Sequence, residues 1–146
     1  MVLKKKNVLL GLTLVLGGLS YQPLYGQSAP AGDGIYSADQ AHRGEDLYKK
    51  QCTACHGEAL DGAGPYPPLA GDDFLTKYAG QPAINLYNMI QKLMPATAPG
   101  SLTRPQAADL LAYILSFNKF PAGKTDFPND ESSLTKLTLP KPAPKT

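Results

Sequence analysis

Both cysteines of the chain fall inside five residues, Cys52-Thr53-Ala54-Cys55-His56. In C-x-x-C-H spacing the two thiols lie about one helical turn apart, close enough to bond the two vinyl groups on one edge of a haem, and the next residue can turn its imidazole onto the iron. The pattern therefore points to one haem c held covalently through Cys52 and Cys55, with His56 as an iron ligand. Three plainer readings use the same residues. A redox dithiol expects alternating strands and helices around it, and no strand-like run precedes Cys52. A zinc site needs about four ligands and would consume every Cys and His in the chain, His42 and His56 included. A disulfide across two intervening residues closes too small a loop to stabilise much.

Six-coordinate iron takes a partner on the far side, and beyond Met1 the thioethers are Met89 and Met94. Met89 falls on a helical apolar stripe, where methionine usually fills core space. Met94 stands at a helix-to-loop junction, followed by Pro95, where a side chain can be aimed and held; it is the preferred ligand. Histidine-methionine ligation raises the potential and suits electron transfer. An open or water-ligated iron, as in a small-ligand sensor or a peroxidase-like protein with a labile methionine, is the alternative.

The elements that must place these residues read as all-α. Ser37 with Gln40 three residues later has the form of a capping box and starts a first helix that runs from about Ala38 into the cysteine motif. Ala41, Gly44, Tyr48 and Cys52 share one face of it. Glycine inside a helix costs roughly 1 kcal/mol relative to alanine, so Gly44 suggests that another backbone passes close. His42 reads as a surface histidine. Glycines at 57, 62, 64 and 71 and prolines at 65, 67 and 68 make the next stretch a loop. Such a loop can cover one haem face and offer a carbonyl to the second nitrogen of His56, with Leu69 the apolar contact and Pro67 the candidate acceptor. A second helix covers about Ala83 to Leu93, with Pro82 in its first turn and an apolar stripe of Leu86, Met89, Ile90 and Leu93. Thr103 with Gln106 caps a last helix, about Arg104 to Asn118, whose broad apolar face is Leu110, Leu111, Ile114, Leu115 and Phe117.

At the N-terminus Lys4, Lys5 and Lys6 precede an apolar run of twelve residues, Val8 to Leu19, short for a membrane span and fitting a secretory signal over residues 1–26. Export from a bacterium to the periplasm is the expectation, with a membrane tether only if the signal is retained. Residues 27–36 form a flexible lead-in, 37–120 the haem domain, and 121–146 a loosely attached, Pro- and Lys-rich tail. Removing residues 1–26 takes away three lysines and no acid and moves the formal charge from +2 to −1. No basic stripe survives, so nucleic acid is not a partner.

Four segments, in order, resemble the class I (monohaem) cytochromes c: Gly44 and Tyr48, the Cys52–His56 motif, Pro67-Pro68-Leu69-Ala70-Gly71, and Met94-Pro95 followed by Asp109-Leu110-Leu111-Ala112-Tyr113. The resemblance spans about Ala38 to Asn118. It implies a fold of three to four helices around one covalently bound haem with long Gly/Pro loops, and Gly44 and Tyr48 against Leu110 and Tyr113. It also implies His56 and Met94 as the axial pair, with Pro67 orienting His56. A narrower likeness, in Met94 to Leu102, Ala112 to Asn118 and Phe120-Pro121-Ala122-Gly123, is to the cytochrome domain or subunit serving quinohaemoprotein alcohol dehydrogenases. The implied role is a one-electron carrier, itself no enzyme. Its redox partners would be a dehydrogenase donor and an oxidase or other cytochrome as acceptor, unless it is a fixed subunit of a dehydrogenase complex.

Overall fold

A computed structural model describes residues 34–141. The signal segment, the lead-in up to residue 33 and the last five tail residues lie outside the described residues. Six helices follow one another: α1 (Ala38–Gln51), α2 (Thr53–His56), α3 (Gly71–Tyr78), α4 (Ala83–Leu93), α5 (Arg104–Phe117) and α6 (Glu131–Lys136). The described residues hold isolated β-bridges but no strand, and no helix among them is long and apolar enough to cross a membrane. The all-α class holds, but among the described residues six helices stand where three to four are expected, because α2, α3 and α6 are short. For α3 the signals were present: Asp72 and Asp73 open it, Lys77 closes it, and Phe74 between them is buried.

The two fourteen-residue helices, α1 and α5, share the most extensive interhelical contact. Gly44 makes it possible. A Cβ at this position would collide with the Asp109 carbonyl and crowd Cβ of Tyr113, so the missing side chain is what lets the backbones meet. Beside it the Tyr48 and Tyr113 rings pack tilted, centroids 5.2 Å apart. The approach expected at Gly44 is present, and its neighbours are Asp109 and Tyr113. At the α5 start Thr103 and Gln106 make both halves of a capping box, whereas at α1 only Ser37 does its half. Gln40 instead sends its side chain to the backbone of Phe127, donating to the carbonyl at 3.1 Å and accepting from the N–H.

That contact bears on the two ends of the expected domain. The lead-in was drawn to residue 36, but Tyr36 is buried and donates its hydroxyl to the Phe120 carbonyl. The tail was expected to be loosely attached, and between residues 121 and 141 it is not: Phe127, Leu134 and Leu139 are buried in the core. Its path is pinned by Arg43 on Asp126 at 2.7 Å, by Arg104 on the Asn129 carbonyl at 2.8 Å, and by Leu139 N–H on the Gln81 carbonyl at 2.9 Å. The physical reason is that three widely spaced apolar anchors each bury roughly 2 kcal/mol of side chain, which outweighs a Pro- and Lys-rich composition.

Helix α4 has the expected bounds, with Pro82 capping it from just outside. Its stripe is rotated from the expected one. Ala83, Leu86, Tyr87 and Ile90 are buried, while Met89 and Leu93 are 37% and 55% exposed, so Met89 does not fill the core.

Candidate functional site

Cys52 ends α1 rather than continuing it, with φ −120° and ψ −30°, its N–H still bonded to the Tyr48 carbonyl at 2.8 Å. The Cys52 carbonyl then accepts from Cys55 N–H at 3.2 Å and His56 N–H at 2.9 Å, which winds the motif into the single turn of α2. Gly57 stops that turn at φ +74°, a conformation that favours glycine. Beyond it the loop is tied back on itself. Gly62 N–H donates to the His56 carbonyl at 3.0 Å and Leu69 N–H to the Leu60 carbonyl at 2.8 Å. Tyr48 on α1 donates its hydroxyl to the Gly57 carbonyl at 2.8 Å, joining the loop to the helix before it.

These ties bring Pro67 to His56. Nδ1 of the imidazole lies 3.0 Å from the Pro67 carbonyl, which can only accept, so Nδ1 carries the proton and Nε2 holds the free lone pair. His56 is buried, and among the described residues no fully buried side-chain nitrogen or oxygen lacks a partner. Nε2 makes no hydrogen bond among the described residues and is free to take a ligand. A carbonyl behind a histidine in this way sets the ring's orientation and raises its basicity as a metal ligand. Sequence reasoning missed Tyr66, whose ring packs edge-on to His56 with centroids 6.3 Å apart. The Cys55 thiol pushes the tyrosine pKa upward. The signal available was only an aromatic beside the proline pair.

Both cysteines are free thiols. Burial pushes the Cys52 thiol up to about 11, with Cys55 adding to it. A dithiol redox centre needs the opposite, a thiol lowered toward neutrality, so the exchange reading finds no support. Nor does a zinc site: among the described residues no group of three or more Cys, His, Asp or Glu could hold a metal ion. His42 is 79% exposed with Glu45 at 3.7 Å, a surface residue as expected.

Met94 is the C-cap of α4, its N–H on the Ile90 carbonyl at 3.2 Å, and it is half-buried against the core. Leu69 is likewise half-buried against the core. Met89 receives the Tyr78 hydroxyl on its sulfur at 3.5 Å. Among the described residues the exposed large hydrophobic side chains are Tyr66, Met89 and Leu93, on the loop after α2 and along α4. Two free thiols on one turn, an imidazole whose Nδ1 is held by a carbonyl and whose Nε2 is left for a ligand, a thioether, and exposed apolar side chains make a donor set that fits a covalently bound haem.

Comparison with known proteins agrees with this geometry. Residues 39–114 match the family described as cytochrome c oxidase, cbb3-type, subunit III. A thiosulfate dehydrogenase of Stutzerimonas stutzeri (strain A1501) is 31% identical over 114 residues, which cover 73% of this chain and 36% of that protein. The chain thus spans about a third of the curated relative's length. The crystal structure of the sulfane dehydrogenase SoxCD from Paracoccus pantotrophus superposes with a TM-score of 0.53 at 25% identity, over 77% of this chain and 59% of that one.

Proposed function

Because the chain belongs to the class I cytochromes c, within the family of cbb3-type oxidase subunit III, we propose that it is an exported one-electron carrier with a single haem c and His56/Met94 ligation. The observation that carries this reading is the 3.0 Å contact of His56 Nδ1 with the Pro67 carbonyl, which prepares Nε2 of a C-x-x-C-H histidine as a ligand. Bound haem would supply reversible one-electron oxidation of its iron. Cys52 and Cys55 would hold it by thioether bonds. His56 would supply one nitrogen ligand, its ring kept from turning by Pro67. Met94 would supply the other ligand, a soft thioether that favours the reduced state and occupies the position an oxidisable substrate would need. No side chain of the site is asked to move a proton or attack a substrate, so the chain is an electron-transfer module rather than an enzyme.

The donor is proposed to be a periplasmic dehydrogenase. Relatives named for thiosulfate and sulfane oxidation favour a donor acting on reduced sulfur over the quinohaemoprotein alcohol dehydrogenase that the narrower sequence likeness implies. The short share of the thiosulfate dehydrogenase that this chain spans also keeps in view a fixed subunit of a larger complex; co-purification of a dehydrogenase with the chain from its native periplasm separates that from a free carrier. The main test is a haem-staining gel with reduced-minus-oxidised spectra of the exported protein. A stained band of the mature size with a six-coordinate c-type spectrum is expected. Rapid stoichiometric binding of carbon monoxide to the reduced protein at neutral pH would sink the carrier reading and favour a sensor.

A further inference from the structure

Asn118 ends α5, far in sequence from the cysteine motif, yet every polar atom of its side chain is committed to holding the loop that bears Pro67. Nδ2 donates to the Leu69 carbonyl at 2.9 Å and to the Ile114 carbonyl at 2.8 Å. Oδ1 accepts from Gly71 N–H at 3.1 Å. An amide has two donor hydrogens and one acceptor oxygen, and all are used. Tyr48 holds the near end of this stretch through the Gly57 carbonyl, while the ties of Gly62 to His56, Tyr66 to Ala63 and Leu69 to Leu60 run within the loop itself. Asn118 is the side chain that anchors its far end to the main helical pair. Leu69 is two residues from Pro67, so the amide sets where the Pro67 carbonyl stands relative to His56 Nδ1.

We propose that Asn118 is a positioning residue for the haem-binding histidine, acting through Leu69 and Gly71 on the Pro67 carbonyl. The inference rests on the proposed haem ligation. An aligned Nδ1–H···O=C bond makes the imidazole more basic and so favours oxidised iron. When the loop shifts and that bond weakens, the midpoint potential rises and the ring settles at a different angle.

Asn118→Asp tests this. It keeps the size and the acceptor for Gly71, removes both donations, and sets a carboxylate against the Leu69 and Ile114 carbonyls. Thr103→Ala, which removes the cap at the other end of α5 and touches no part of the loop, is the control. Purified, haem-stained wild type and both variants are compared by redox titration, by the g-values of the oxidised form and by thermal melting. The expected result is an upward shift in potential with altered g-values for Asn118→Asp, and lowered melting alone for Thr103→Ala. If Asn118→Asp melts early with wild-type potential and g-values, Asn118 is only a helix cap and the inference is wrong. Should Asn118→Asp not accumulate, Asn118→Ser carries the same readouts and the same two outcomes. A wild-type chain that takes no haem stain overturns the proposed function and this inference together; a stained wild type with silent variants overturns the inference alone.

Discussion

The segment from Cys52 to Gly71 and the helix α4 hold the two proposed iron ligands in different ways. Around His56 the constraints are mostly short in sequence: Cys52 to His56, His56 to Gly62, Leu60 to Leu69, and His56 to Pro67. Around Met94 they are long. The helix that ends there is held by Tyr87 donating to the Arg104 carbonyl at 3.1 Å and by Ala83 N–H on the Leu137 carbonyl at 2.8 Å. Contacts between α4 and both α5 and α6 complete the support. A ligand built from neighbouring residues needs little of the fold to be placed, whereas one at the end of a packed helix moves when distant segments move. The histidine side should therefore withstand damage to the far end of the chain better than the methionine side does.

The largest effect is expected on the local side. Cys55→Ala leaves a single attachment point, and haem staining of the exported protein should fall sharply, with folding impaired because the haem would fill much of so small a core; a stably folded, haem-free variant would contradict this. Next is the remote support of α4. Leu134→Ala empties a buried site in α6, which packs on α4, and should cost about 2–5 kcal/mol in denaturant unfolding. The near-infrared sulfur-to-iron band of the oxidised protein should weaken while the covalent haem stain is kept; equal loss of both would erase the distinction between the two sides.

Met94→Ala sharpens the comparison at the ligand itself. The stain should persist, the near-infrared band should vanish, and carbon monoxide should bind the reduced form readily. Persistence of the band, with its loss in Met89→Ala instead, would move the ligand five residues back, onto Met89. A smaller change is Tyr48→Phe, which removes the hydroxyl that donates to the Gly57 carbonyl and should lower stability by about 1 kcal/mol without altering either ligand. Equal in size but opposite in sign is Lys119→Gly. Lys119 takes φ +66° just past α5, where Phe120 N–H bonds the Leu115 carbonyl, and glycine adopts that conformation freely. A gain of about 1 kcal/mol in thermal or denaturant unfolding is expected, with both ligands unchanged.

Legibility followed the same division. The cysteine motif, the loop after it and the close approach at Gly44 could be read because each depends on residue type at fixed spacing: two thiols a turn apart, prolines that forbid helix, a glycine where a Cβ would collide. The bounds of α4 were marked by Pro82 and Pro95. Which side of α4 faces inward was not legible, because its apolar residues occupy more than one face. Packing against α5 and α6 selected Leu86 and Ile90 for burial and left Met89 and Leu93 outward. The attachment of the C-terminal segment was not legible for a related reason. Phe127, Leu134 and Leu139 follow no helical or strand period, and their value lies only in the partners they meet.

Sequence alone determined what chemistry this chain can hold, since covalent attachment and the histidine beside it need only neighbouring residues in a turn that the local hydrogen bonds already favour. The tertiary structure decided what surrounds that turn. Gln40 left its capping role to hold Phe127, Asn118 reached back to the Pro67 loop, and the last described residues closed over α4. Those outcomes compare the burial and pairing of groups more than forty residues apart, and such energies exist only once the chain has folded.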